Sequence, residues 1–353
     1  MKGAFFYGYL STLILGGYIS DKIGGKLGLL TGVGIMSLGH VLLPTFARLS
    51  PWAAFPILAL EGMVSGMAIP SIFQMFSVWS SPDERATIMS FVYSAVPLAT
   101  ITNFPLSSAL CETGLDGGWP MIFYVPGMAG LVLAFMFPFV VFNKPSDHPR
   151  ISSEEKNYLS ESCKNTKKNK SLSIPWRDFA TSLPMNALWI THVAWLWMFY
   201  LTAIEIPSFV KHVFQMEIIT GGLVSALPFI GMFIMSFSAK IFDYLRTKDL
   251  MTLTNLRKSF NSLGFFGAAL ATFSLHFVTD STCAIALLTL SMTFLQLPNT
   301  GGFFFSHSDL VGPYSGIAFG FTNTMAQLPA IINPLLVAYM TPNVSSSNVL
   351  IVI

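Results

Sequence analysis

Gly17-Tyr18-Ile19-Ser20-Asp21-Lys22-Ile23-Gly24-Gly25-Lys26 lies between two long apolar segments, residues 4–20 and 27–46. Glycines, one acid and two bases fill the gap between them. A gap this short has no room for a globular loop. The two segments are each long enough to cross a bilayer, so they predict an antiparallel pair of membrane helices.

Composition extends that reading to the whole chain. Hydrophobic residues make up 53% and charged residues 10%, against about 25% charged in an ordinary soluble domain. A net charge of +2 gives no reason to expect a nucleic-acid partner. Cys111, Cys163 and Cys283 have neither metal-ligand spacing nor a disulfide pattern. With no nucleophile motif or His/Cys/Asp cluster either, an enzyme is not expected.

Ten helix-length apolar runs follow one another: about 4–20, 27–46, 53–78, 86–110, 119–142, 186–206, 218–239, 259–279, 282–305 and 313–341. The long polar interruption at 143–185 divides them into an N-terminal bundle, 1–142, and a C-terminal bundle, 186–353, of five helices each. Within it, Pro145, Pro149 and Ser152–Glu155 predict a loop entering a short amphipathic helix. When alternate loops are assigned to one side, 16 of the 19 Lys and Arg fall there, all but Lys2, Arg48 and Lys211. The positive-inside rule then places the 21–26 gap and the 143–185 linker in the cytoplasm. Ser238–Arg246, after the second helix of the C-terminal set, echoes the first gap with Asp243 and Arg246, as an internal repeat would.

The order Gly-x-x-x-Asp-Lys-x-Gly-x-Lys over Gly17–Lys26 resembles the cytoplasmic helix 2–3 signature of the major facilitator superfamily. Trp79-Ser80-Ser81-Pro82-Asp83-Glu84-Arg85 resembles the turn after helix four of its solute carrier family 17-like anion transporters, the sialin, vesicular glutamate and sodium/phosphate cotransporter group. Leu60-Glu61-Gly62 with Gly66 and Pro70, His148–Ser152, Ser225–Pro228, His307–Leu310, Tyr314–Gly316, Thr322–Thr324 and Asn333-Pro334 match in order. The resemblance implies an all-α polytopic membrane protein of two pseudo-symmetric helix bundles. About ten helices of a family twelve are present, the second through the eleventh. It implies a secondary transporter of a small solute, an organic or inorganic anion, coupled to H+ or Na+ and needing no cofactor. The bilayer would be that of the plasma membrane or of a lysosome or vesicle. The alternative is a truncated, non-transporting isoform or membrane partner.

Candidate residues follow from the cost of polarity in hydrocarbon. Glu61 lies roughly 12 Å into its helix at 1.5 Å per residue, with Leu58, Gly62 and Ser65 on the same predicted face. The resemblance implies arginine at Leu58 and a second glutamate at Ser65. Leucine offers no forked donor to an anion, and no arginine stands one turn away to hold Glu61 ionised. Glu61 is therefore either a coupling or substrate-cavity carboxyl, or a neutral acid hydrogen-bonded between helices. Ser65, Trp195, Tyr200 and Asn323 complete the candidate cavity. His192 is expected to be structural, and Glu205 an interfacial acid. Gly62-x-x-x-Gly66 predicts close helix packing. Gly17, Asp21, Lys22, Gly24, Gly25, Lys26, Glu84, Arg85, Asp243 and Arg246 form the expected cytoplasmic gate. Asn343-Val344-Ser345 is a glycosylation sequon on the opposite side.

Overall fold

The computed structural model describes residues 4–81, 88, 91–167, 176–311 and 315–340. Helices dominate, and there is no strand among the described residues. The helices are α1 (Ala4–Ile23), α2 (Gly25–Leu49), α3 (Pro51–Trp79), α4 (Ala95–Glu112), α5 (Met121–Val140), α6 (Ser153–Lys167), α7 (Trp176–Thr181), α8 (Leu183–Val213), α9 (Ile218–Met235), α10 (Ser238–Thr247), α11 (Leu253–Ser274), α12 (Ser281–Leu295), α13 (Leu297–Gly301), α14 (Phe303–Val311), α15 (Ser315–Ala326) and α16 (Leu328–Met340). Among the described residues, six stretches are long and apolar enough to span a bilayer: Gly25–Leu49, Pro51–Phe76, Met121–Val140, Leu183–Lys211, Ile218–Thr247 and Ser281–Val311. Their outward surfaces are what hydrocarbon requires. On α5, Val132, Phe135 and Phe139 are 57%, 74% and 71% exposed. In water so large an apolar stripe would be a liability.

The chain divides into two compact units, Met1–Phe91 with Trp119–Trp176, and Val92–Gly118 with Arg177–Ile353. In the first unit α3 packs against α1 and α2, and α2 against α5. The α1–α2 connection is a single residue. Asp21 and Lys22 continue the first helix, and Gly24 alone turns the chain at φ +88°, a conformation that only glycine adopts freely. The α2–α3 connection is also one residue. Ser50 accepts the Trp52 amide at 3.2 Å, and Pro51 opens the next helix, where its missing N–H costs nothing. Helix α6 starts where the sequence predicts, with Ser152 Oγ accepting the Glu155 amide at 3.1 Å.

Lipid gives helices no hydrophobic reason to associate, so close backbone approach must supply the attraction. The α1–α3 pair does this with glycine. Gly8 faces the Ala59 carbonyl, Gly62 faces Phe5 and Tyr9, Gly66 faces Thr12, and Gly16 faces the Met67 backbone. Thr12 Oγ1 donates to the Met63 carbonyl at 2.6 Å. The predicted Gly62-x-x-x-Gly66 contact is therefore one strand of a four-glycine seam.

In the second unit α9 packs on α4 and α12, α11 on α12, and α8 on α15 and α16. Gly222 of α9 sits against Ser108 and the Phe104 carbonyl of α4. Two of the expected spans are broken. The run at 282–305 becomes α12, α13 and α14, because Pro298 cannot donate and Gly302 leaves helical geometry at φ −101°, ψ −125°. The run at 313–341 breaks at Gln327, whose amide is shared between the Asn323 and Thr324 carbonyls, with Pro329 just beyond. Irregular backbone at membrane depth survives only where protein satisfies it, and both breaks carry buried amides, Gln296 and Gln327.

Candidate functional site

In the first unit, the α2–α3 hairpin brings a base to the buried acid. Position 40 lies ten residues before Ser50 and position 61 eleven after it, so antiparallel packing places them at one depth. Glu61 is 2% exposed. His40 Nδ1 lies 3.0 Å from Glu61 Oε1 and 3.0 Å from the Met36 carbonyl. A carbonyl can only accept, so Nδ1 carries the proton and donates to a carboxylate oxygen. Two glycines make the room. A side chain at Gly39 would come within 2.6 Å of Glu61 Oε1, and one at Gly127 of α5 would crowd His40 and Val41. The ring leans on Phe123, centroids 6.1 Å apart.

This pair changes the reading of Glu61. The sequence leaves the acid without a cation one turn away, whereas the structure supplies an imidazole from the neighbouring helix. The shared face also divides: Glu61 turns to α2 and Gly62 to α1, because successive helical residues point about 100° apart. Ser65 is half-buried one turn on.

In the second unit each of the remaining cavity candidates is held by a polar contact. Trp195 Nε1 donates to the Leu295 carbonyl at 2.6 Å, and its ring stacks on Phe199 at 5.3 Å. Tyr200 donates to Gln327 Oε1, and Gln327 Nε2 donates to Asn323 Oδ1 at 3.2 Å. Asn323 and Tyr200 are thus joined through Gln327, which sequence reasoning missed although it stands four residues after Asn323. Asn333 Nδ2 donates to the Trp197 carbonyl at 2.9 Å across α16 and α8. Glu205, expected at an interface, is 6% exposed within α8.

The residues of the expected gate have several fates. The first turn of α2 is capped by side chains. The Gly25 amide donates to Gln74 Oε1 at 2.7 Å, and the Lys26 amide to Asn143 Oδ1 at 3.0 Å. Lys26 Nζ donates to the Pro138 carbonyl at 2.8 Å, where a cation neutralises the last carbonyls of α5. Lys26 therefore ties α2 to α5 inside its own unit. Asp243 and Arg246 are exposed. The ion pair at this end of the second unit is Arg257 Nε to Asp309 Oδ2, 2.9 Å, with Arg257 also over the Phe242 ring at 4.5 Å. Glu84, Arg85 and Asn343 lie outside the described residues. Gly17, Asp21 and Lys22 belong to α1, and their side chains are not among those described.

Residues 1–334 match the family model described as Major Facilitator Superfamily. Human sialin is 33% identical over 345 residues, covering 97% of this chain and 68% of sialin. A putative inorganic phosphate cotransporter of Drosophila ananassae is 33% identical, covering 94% of this chain and 69% of its own length. Vesicular glutamate transporter 2.2 of Danio rerio is 31% identical, covering 97% of this chain and 59% of its own. Among solved structures, the inward open xylose transporter XylE from E. coli superposes with TM-score 0.68 at 13% identity, over 99% of this chain and 81% of that one. A bacterial homolog of the human lysosomal transporter Spinster, inward-facing and occupied, gives 0.68 at 13%, over 96% and 74%. The glycine-rich first connection, the helical units and these matches agree: the chain is a multi-pass membrane protein that belongs to the Major Facilitator Superfamily, in the group of sialin, the vesicular glutamate transporters and the phosphate cotransporters.

Proposed function

We propose that this transporter-family protein moves a small anion by alternating access, coupled to a proton gradient, with Glu61 and His40 as the coupling pair. The observation that carries the reading is the 3.0 Å contact between a 2%-exposed carboxylate and an imidazole on adjacent helices. The pair bears one negative charge when His40 is neutral and none when it is protonated. One proton thus switches the site between a net charge, which is costly to bury, and a neutral pair, which is less so. The proton belongs to the pair rather than to either residue. An imidazole in contact with the carboxylate favours H+ over Na+, which seeks oxygen ligands alone. Ser65, Trp195, Tyr200 and Asn323 remain the proposed cavity residues, and the lysosomal or vesicle membrane the proposed site of action.

The relatives' names carry glutamate and inorganic phosphate, and these are the first anions to test. Leu58 supports a second reading, a membrane partner that does not transport, since it removes the donor that the family resemblance implies for an organic anion. The test is reconstitution in liposomes. Glu61→Gln keeps an acceptor for His40 but has no titratable group. It should abolish pH-gradient-driven accumulation while leaving counterflow exchange measurable. Loss of both in a folded variant would assign Glu61 to substrate binding, and unchanged pH dependence would remove it from coupling.

A further inference from the structure

The second unit holds another cluster of titratable side chains that the coupling pair does not use. His192 of α8, Thr322 of α15 and His307 of α14 are 3%, 0% and 2% exposed. His192 Nδ1 lies 3.1 Å from Thr322 Oγ1, and His307 Nε2 lies 2.8 Å from the same oxygen. His307 Nδ1 is 3.0 Å from the Phe304 carbonyl, and Thr322 Oγ1 is 3.1 Å from the Phe319 carbonyl. With the Thr322 hydroxyl turned to His307, one arrangement satisfies both rings. Phe304 can only accept, so His307 Nδ1 carries hydrogen, and in the neutral ring Nε2 accepts from the Thr322 hydroxyl. The hydroxyl oxygen in turn accepts from His192 Nδ1–H. The chain is directed, His192 to Thr322 to His307.

The geometry also accommodates one more proton without moving a heavy atom. If His307 Nε2 is protonated it donates to Thr322 Oγ1, and the hydroxyl hydrogen turns to the Phe319 carbonyl. Every donor then still has an acceptor. A network that is satisfied in both protonation states avoids the cost of an orphaned buried group in either. A structural histidine needs only one such arrangement.

We propose that His192, Thr322 and His307 form a proton relay in the second unit, resting on the proton-coupled reading above. A hydronium ion reaching the cluster protonates His192 Nε2 and is left as water. The Nδ1–H bond of His192 breaks as that proton bonds to Thr322 Oγ1, whose own proton passes to His307 Nε2. His192 is left neutral and His307 becomes the imidazolium. A pocket of about 400 Å³ beside the cluster, with Thr191, Phe303 and Ser306 in its wall, supplies the water. Phe303 packs on the His192 ring at 5.1 Å and must swing aside for proton entry. The charged and titratable groups on the surrounding elements are few. Asp309 follows His307 in α14 and is bonded to Arg257 of α11, with Lys258 beside it. Tyr200, Glu205, Lys211 and His212 follow His192 along α8, α15 carries none, and α16 carries Tyr339. His307 Nδ1–H is bonded to the Phe304 carbonyl of its own helix, so the proton leaves by the same steps reversed, through Thr322 and His192, and a buried imidazolium, costly to hold, drives that return.

The test is nitrogen-15 histidine NMR on the whole protein in micelles, with His192→Gln and His307→Gln for assignment, joined to transport. At rest both rings should carry hydrogen on Nδ1 and none on Nε2. On acidification they should titrate as one coupled pair, and Thr322→Val should uncouple them while Thr322→Ser does not. Hydrogen on Nε2 of either resting ring, or independent titration in the unsubstituted protein, overturns the relay whether or not the protein transports. In liposomes Thr322→Val should lose pH-gradient-driven uptake and keep exchange, with Thr322→Ser restoring uptake. If Thr322→Val accumulates substrate with unchanged pH dependence, the relay fails while the coupling role of Glu61 stands.

Discussion

Removing the imidazole of His40 should cost more than removing the charge of Glu61, and the two losses should not add. At an effective dielectric of about 20, unit charges roughly 3 Å apart attract by about 5 kcal/mol, before the desolvation that opposes pairing. His40 is 26% exposed and Glu61 3% at their side chains, so solvent screens one partner and the acid bears most of the penalty. His40→Ala strands a carboxylate in a nearly dry site and should destabilise by about 3 kcal/mol. Glu61→Gln keeps the Nδ1–H···O bond and should cost about 1 kcal/mol. In the double variant nothing charged is stranded, so it should be about 2 kcal/mol more stable than the sum of the singles. The assay is reversible unfolding in mixed micelles by detergent titration, run as a double-mutant cycle. Additivity within about 0.5 kcal/mol would show that the two groups do not interact and would refute the pairing.

Three further outcomes follow from the same geometry. Gly62→Val would drive methyls into the α1 backbone at Phe5 and Tyr9, so it should cost several times what the exposed Leu60→Val costs in the same assay; equal costs would mean that α1 and α3 are not seamed there. Lys26→Met removes both the donor to the Pro138 carbonyl and the ammonium over the Phe142 ring, and should destabilise by about 1 kcal/mol; no change in the unfolding midpoint would make Lys26 a gating residue only. Cysteines at Lys156 and Lys248, both exposed, should resist an impermeant thiol reagent in intact cells and react after permeabilisation; reaction in intact cells would invert the proposed topology.

Much of this architecture is legible in the sequence because hydrocarbon imposes simple rules. Apolar length marks helices, and short gaps such as 21–26 force antiparallel neighbours, although the closure of two connections on the single residues Gly24 and Ser50 is seen only in the structure. The small residues Gly62 and Gly66 mark a seam. The partners across that seam are not legible, since they depend on rotation about each helix axis. His40 is the clear case. Its near-equal spacing from Ser50, ten residues against eleven for Glu61, could have paired them, but depth alone does not say that both turn inward. Arg257 and Asp309 were hidden for a different reason. They are 52 residues apart in sequence and meet only because α13 and α14 kink at Pro298 and Gly302. Asp243 and Arg246 follow the family's repeat in sequence yet are exposed. The break at Gln327 is invisible to apolar periodicity, because Leu328–Met340 resumes the same apolar pattern.

The central claim is that proton movement accompanies anion movement through this protein. Purified protein in liposomes containing a trapped pH indicator tests it, with glutamate or inorganic phosphate added outside at zero membrane potential. The account predicts that the lumen acidifies as labelled anion enters, and that both signals depend on Glu61 and His40. Anion entry with no change in luminal pH, in the unsubstituted protein, would contradict it.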